Sequence, residues 1–318
     1  MVRRIARRER MMPLTSHVAQ KPGLPNALRA AIWMTGAVGS FTAMAIAGRQ
    51  VSYLHDSFEI MMMRSAVGFV LVCGFLLSAG RLGEVSAARL GGHFLRNLIH
   101  FTGQNLWFWA LTMIPLAQVF ALEFTSPIWV ILLSPLFLGE RLTPPRLIAA
   151  GMGFVGILIV ARPDFAHLNP GVLAAAASAV CFAATSIATK KLTRGINIAS
   201  IMFWLTLMQF CFGCIAAFAD GVVHWPTAQT LPWLVLIGFC GVLAHLSITK
   251  ALSLAPAAFV APLDFVRLPV IAVVGALIYA EPLDPYVIGG GAVIFLGIWI
   301  NIRAELRRSR TESAVTKT

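Results

Sequence analysis

Charge is scarce in this 318-residue chain: Asp, Glu, Lys and Arg make up 12% of it, against 58% hydrophobic residues. That shortage excludes a soluble fold, because a water-facing surface of this size needs far more charge to cover it. Acid is scarcer than base, with 13 Asp and Glu against 25 Lys and Arg. The resulting net charge of +12 would point to nucleic acid in a soluble protein, but its placement argues otherwise. The basic residues gather in the N-terminal tail (Arg3, Arg4, Arg7, Arg8, Arg10), the C-terminal tail (Arg303, Arg307, Arg308, Arg310, Lys317) and alternate loops. That distribution is a topology signal, and no nucleic-acid partner is expected.

Catalytic motifs are missing as well. The chain has no Gly-x-x-x-x-Gly-Lys-Ser/Thr loop for a nucleotide, no His-Glu-x-x-His and no nucleophile elbow. All five cysteines lie in apolar windows. Cys211-Phe-Gly-Cys214 has redox or metal spacing but lacks a second pair or a histidine, so it reads as small apolar packing. No enzyme activity, cofactor or metal is expected. Residues 1–27 are polar and basic, with no short apolar stretch and small-residue cleavage site behind them, and they read as a cytoplasmic tail and not a signal peptide. Glu9, Pro13, Pro22 and Pro25 argue against an amphipathic presequence.

What the chain does have is segmented hydrophobicity, with a mean hydropathy of +0.81. Apolar windows fall at 30–48, 58–80, 93–113, 116–138, 146–162, 171–189, 198–219, 232–252, 257–280 and 284–302. Each is about the 17–25 residues that an α-helix needs to cross a bilayer. The sequence therefore predicts an all-α polytopic membrane protein of ten transmembrane helices surrounded by lipid. Placing both termini in the cytoplasm puts every Lys and Arg on that side except Arg49, Arg162, and the intraspan Arg64 and Arg267, as the positive-inside rule requires.

The second half of the chain aligns on the first at one shift of about 141 positions without a gap. Pro115 falls on Pro256, Glu123 on Asp264, Glu140 on Glu281, Pro144 on Pro285, Gly156 on Gly297 and Arg162 on Arg303. The chain thus divides into a basic tail over 1–27, one repeat over 28–163, a second over 164–303, and a basic tail over 304–318. Five spans per repeat is an odd number, so the halves would enter the membrane from opposite sides. Such inverted-topology repeats suit alternating access.

Ionisable groups inside spans cost roughly 2.5–3.5 kcal/mol on insertion scales and so face a cavity or a partner. Glu123 in the fourth span, Asp264 and Arg267 in the ninth and Arg64 in the second sum to zero charge. Structural pairing is the competing account: Asp264 with Arg267 at i,i+3, and Arg64 with Glu59 or Glu123. The third span carries Asn97, His100, Gln104, Asn105, Trp107 and Trp109, and His245 falls on Gln104 by the repeat shift. Positions 97, 100 and 104 share a helix face that would line a pore, or would bond neighbouring helices. Pro127, Pro135, Pro262 and Pro269 would loosen the fourth and ninth helices beside the acids and serve a gate. Glycines 151, 153, 156, 289–291 and 297 read as close-packing surfaces, with a homodimer contact as the alternative to internal packing.

Ile114-Pro-Leu-Ala, Phe124-Thr-Ser-Pro127, Leu138-Gly-Glu-Arg-Leu-Thr143 and Gly151 to Arg162-Pro163, with the echo Tyr279-Ala-Glu-Pro-Leu283 through Gly297, resemble the EamA-type drug/metabolite transporters. The resemblance covers essentially the whole chain, duplication included. It implies two inverted five-helix repeats, a bacterial inner-membrane location, and a cavity lined by helices 1, 3, 4, 6, 8 and 9. Relatives handle amino acids, riboflavin, S-adenosylmethionine and sugars, so the implied function is secondary transport of a small organic metabolite. In that frame Glu123 or Asp264 takes up a coupling proton or meets a cationic group, and Arg267 and Arg64 meet a carboxylate or phosphate. A passive channel, or a membrane-embedded enzyme or receptor, is the competing class.

Overall fold

The computed structural model describes residues 24–114, 116–161, 170–219, 222–279 and 285–315. Most of the N-terminal tail, and the Pro115, Arg162 and Glu281 of the repeat alignment, lie outside them. The described secondary structure is helical throughout: α1 (Asn26–Val51), α2 (Ser57–Ser78), α3 (Leu90–Leu111), α4 (Leu116–Glu123), α5 (Ser126–Leu138), α6 (Pro144–Ala161), α7 (Pro170–Thr193), α8 (Ile198–Ala217), α9 (Leu231–Leu254), α10 (Ala257–Val260), α11 (Arg267–Tyr279) and α12 (Pro285–Val315). Short 3₁₀ turns cover Leu82–Glu84 and Ala261–Val266. By length and composition, seven of these segments are apolar enough to cross a membrane, while α5 and Pro144–Ile159 are shorter apolar helices. Outward-facing residues such as Leu136, Ile215 and Leu277 are large, apolar and exposed, which suits lipid and not water. The chain is a multi-span membrane protein.

The duplication reaches the level of helix boundaries. Ile198, Leu231, Ala257, Arg267 and Pro285 each begin a helix 141 positions after Ser57, Leu90, Leu116, Ser126 and Pro144 begin theirs. Equivalent helices also pack on each other with opposed directions. In the α2–α8 pair, Gly213 sits against Met62 while Met202 and Leu205 cluster with Val72 and Leu76. In the α6–α12 pair, Arg146 meets Glu305 and Gly156 meets Gly290 and Ile294. The remaining long helices pair across the repeats: α1 runs along α9, with Gly36 against Ser247, and α3 along α7, with Gly103 against Cys181 and Phe182. Gly153, Gly156, Gly291 and Gly297 therefore serve internal packing, whereas Gly151 and Gly289 face open space.

Local chemistry fixes the ends. Asp56 caps α2 by accepting from the Glu59 amide at 2.8 Å, and Glu59 reciprocates to the Asp56 amide at 3.1 Å. Gly139 ends α5 in the left-handed region (φ 65°), where a glycine carries no Cβ penalty. At the end of the molecule where α1 begins, Glu140 accepts from the Ala257 and Ala258 amides at 2.9 and 3.1 Å, completing the start of α10. Beside it Lys190 donates to the Leu252 and Ala255 carbonyls at 2.6 and 2.8 Å, and Arg194 donates to Leu138 O at 2.7 Å. These contacts tie α5, α7, α9 and α10 together and shut that end.

Candidate functional site

Two helices are interrupted at equivalent places. The run α4–α5 breaks at Phe124-Thr125, and α10–α11 are joined by the 3₁₀ turn Ala261–Val266. Pro127 sits just behind the first break and Pro262 inside the second. Neither proline offers an N–H, and a 3₁₀ turn winds tighter than an α-helix. Pro135 lies inside α5, which runs on to Leu138, and Pro269 is the third residue of α11. The breaks bring the paired acids to one cation. Arg267 donates to Glu123 Oε1 at 2.7 Å and to Asp264 Oδ2 at 3.1 Å, and the Trp107 indole donates to Glu123 Oε2 at 2.8 Å. Phe41 and Phe124 flank the guanidinium, their ring centroids 5.1 and 4.8 Å away. The i,i+3 pairing of Asp264 with Arg267 is present, extended by a carboxylate from the other repeat.

This cluster stands in the wall of a cavity of about 840 Å³ between the repeats. Ser52, His55, Asp56 and Thr112 line it, so it reaches the end carrying the α1–α2 and α3–α4 connections, opposite the shut end. Glu123, Asp264, Arg267, Arg64, His100, Gln104, Trp107, His245 and Pro127 all line it. The sequence places all of these at the site, and one chamber gathers them. Asn105, Pro135, Pro262 and Pro269 are not among the lining residues; the Asn105 amide donates to Phe101 O at 2.8 Å. The His100 and His245 rings meet edge to face at 5.0 Å. Both ring nitrogens of His100 and Gln104 Oε1 are buried without a hydrogen-bond partner.

Arg64 meets neither expected carboxylate. Its guanidinium contacts Met44 Sδ at 3.6 Å, and Glu59 bonds instead to the His224 amide at 2.6 Å and to His224 Nδ1 at 3.0 Å. Sequence reasoning also missed Arg96, which charge counting assigns to the cytoplasmic side. It is 3% exposed, lines the cavity, and donates to Thr189 Oγ1 at 3.1 Å and Asn97 Oδ1 at 2.8 Å. Its place on the face shared by Asn97 and His100, one turn away, is the signal that would have found it.

Known proteins share this architecture. The family model for the EamA-like transporter family matches the chain twice, over residues 28–162 and 169–303. The chain belongs to the EamA-like transporter family. Within it, a riboflavin transporter of Vibrio cholerae is 30% identical over 291 residues, spanning 90% of this chain and 96% of that protein. An S-adenosylmethionine uptake transporter of Rickettsia conorii is 24% identical over 264 residues, covering 82% and 88%. A solved crystal structure superposes with a TM-score of 0.73 over 88% of this chain and 97% of its own, at 19% identity, and shares the fold. This EamA-like chain thus carries both family repeats, and its cavity lies where their interrupted helices meet.

Proposed function

We propose that the protein is a secondary transporter of a small organic metabolite, working by alternating access in a bacterial inner membrane with both termini cytoplasmic. The observation that carries this is a chamber between two repeats, open at one end and latched at the other. In this account α4–α5 make one span and α10–α11 another, giving ten in all. The opposed α2–α8 and α6–α12 pairs support inversion, because equivalent helices of inverted repeats must run in opposite directions. A chamber of about 840 Å³ suits a metabolite of vitamin or nucleoside size. The named relatives make riboflavin and S-adenosylmethionine the first solutes to try.

The broken helices place Glu123, Asp264 and Arg267 at the joint that has to move. A solute or proton that neutralises Glu123 weakens its hold on Arg267, so occupancy is read out as a change in the contact between α4–α5 and α11. Trp107 and Phe41 supply stacking faces, and Gln104, His100 and His245 supply polar edges. Proteoliposome flux tests this: saturable uptake is expected, and Glu123→Gln and Asp264→Asn should lower it and alter its pH dependence. If both substitutions leave flux and pH profile unchanged, the acids have no such role. The shut end opposes a passive channel, whose flux would rise linearly with concentration.

A further inference from the structure

The transport site has a second pole. Among the described residues the chamber holds three guanidiniums, Arg64, Arg96 and Arg267, and deep within it only two carboxylates, Glu123 and Asp264. Asp56, at the mouth, is engaged in capping α2. Both deep acids contact Arg267, so neither is left for the other two cations. Arg64 has a thioether for a neighbour, and Arg96 has a hydroxyl and an amide oxygen. His100, 7% exposed, lines the same chamber, and both of its ring nitrogens are buried without a hydrogen-bond partner.

The repeat isolates these groups. The acids are matched across the halves, Glu123 by Asp264, and Gln104 is matched by His245. Arg64 and Arg96 instead align with Leu205 and Ile237 at the same shift, so no counterpart charge exists in the second repeat. Arg267 is one-sided too, falling on Ser126, but it is held by the two matched acids, whereas Arg64 and Arg96 have no acid partner among the described residues, so pairing of the halves does not account for them. A solute does.

We propose that Arg64 and Arg96, with His100 beside them, form an anion subsite that takes a carboxylate or phosphate group of the transported solute. The proposal rests on the transporter account and names the chemistry of its substrate. A guanidinium fork binds such a group with two parallel hydrogen bonds, and both cations line the chamber that its open end connects to water. Closing the open end removes that water and leaves the pair uncompensated. A bound anion supplies the missing charge, so the loaded chamber closes more readily than the empty one.

The test titrates inorganic phosphate against chloride at constant ionic strength and follows the melting temperature of the full-length protein in lipid-free detergent. A saturable rise is expected in the wild type. The apparent affinity should fall by about tenfold in Arg64→Gln and in Arg96→Gln. Arg64→Lys and Arg96→Lys keep the charge and lose the fork, so they should lie between, and they carry the test if a Gln variant does not fold. No saturable rise, or the same response in wild type and variants, overturns the subsite. A rise that appears only when phosphatidylglycerol is added assigns the site to a lipid headgroup and overturns it as a solute site. Saturable riboflavin or S-adenosylmethionine flux without any phosphate response would remove the subsite while leaving the transporter standing.

Discussion

At the residue scale, Arg267 is the group on which most of the site depends. Its guanidinium satisfies two carboxylates from opposite repeats, and its side chain is 14% exposed. Removing one member of a buried charge cluster leaves the others uncompensated, which costs about 3–5 kcal/mol, whereas removing all of them together costs much less. Arg267→Met should therefore destabilise the protein by about 3 kcal/mol. Adding Glu123→Gln and Asp264→Asn to it should recover most of that loss in thermal unfolding. The sequence made the Asp264–Arg267 contact visible because i,i+3 spacing is local. Glu123 is separated from Arg267 by 144 positions, and the sequence offered Arg64 and not Arg267 as its partner. Arg96 stayed hidden for a different reason. Near a span end, a buried cation and a cytoplasmic one look alike in sequence, and partners such as Thr189 lie on another helix.

At the scale of elements, the windows of apolar residues anticipated the helices, since length and hydropathy are properties of one segment. Their packing was less legible. The glycine-rich stretches of α6 and α12 gave either an internal contact or a dimer surface, and the distinction depends on which face each glycine occupies. A Cβ at Gly156 would stand 2.6 Å from the Gly290 carbonyl oxygen, while one at Gly289 would meet nothing within 4 Å. Gly156→Ala should thus cost about 1–3 kcal/mol of stability, and Gly289→Ala should be neutral or slightly stabilising, by up to about 1 kcal/mol. The latch at the shut end is an element-scale device too. Glu140 closes the start of α10 by accepting from its first two amides, and glutamine would turn one of its two acceptors into a donor facing an N–H. With the five native cysteines replaced by alanine, a cysteine at Ala258, a fully buried position, should react with maleimide slowly. Glu140→Gln should raise that rate by about tenfold, the effect of losing one charge-assisted hydrogen bond. An unchanged rate would mean that the latch does not hold the end shut.

For the whole molecule, the duplication is what connects sequence to mechanism. A single shift carried five helix starts of one half onto the other, yet it could not say that the present arrangement is open at the α1–α2 end, because in the proposed alternating-access account two exchangeable packings of the same repeats share one sequence. The most direct test of alternation follows the two ends at once. Spin labels at Ser52 and Thr112 report on the open end, and labels at Arg141 and Ser253 on the shut end; pulsed electron-electron distances would be measured for both pairs in lipid nanodiscs with and without a transported solute. Alternating access predicts two populations in which the Ser52–Thr112 distance shortens as the Arg141–Ser253 distance lengthens, their proportions shifting on solute addition. A shut end that never opens, or both ends open together, would contradict it.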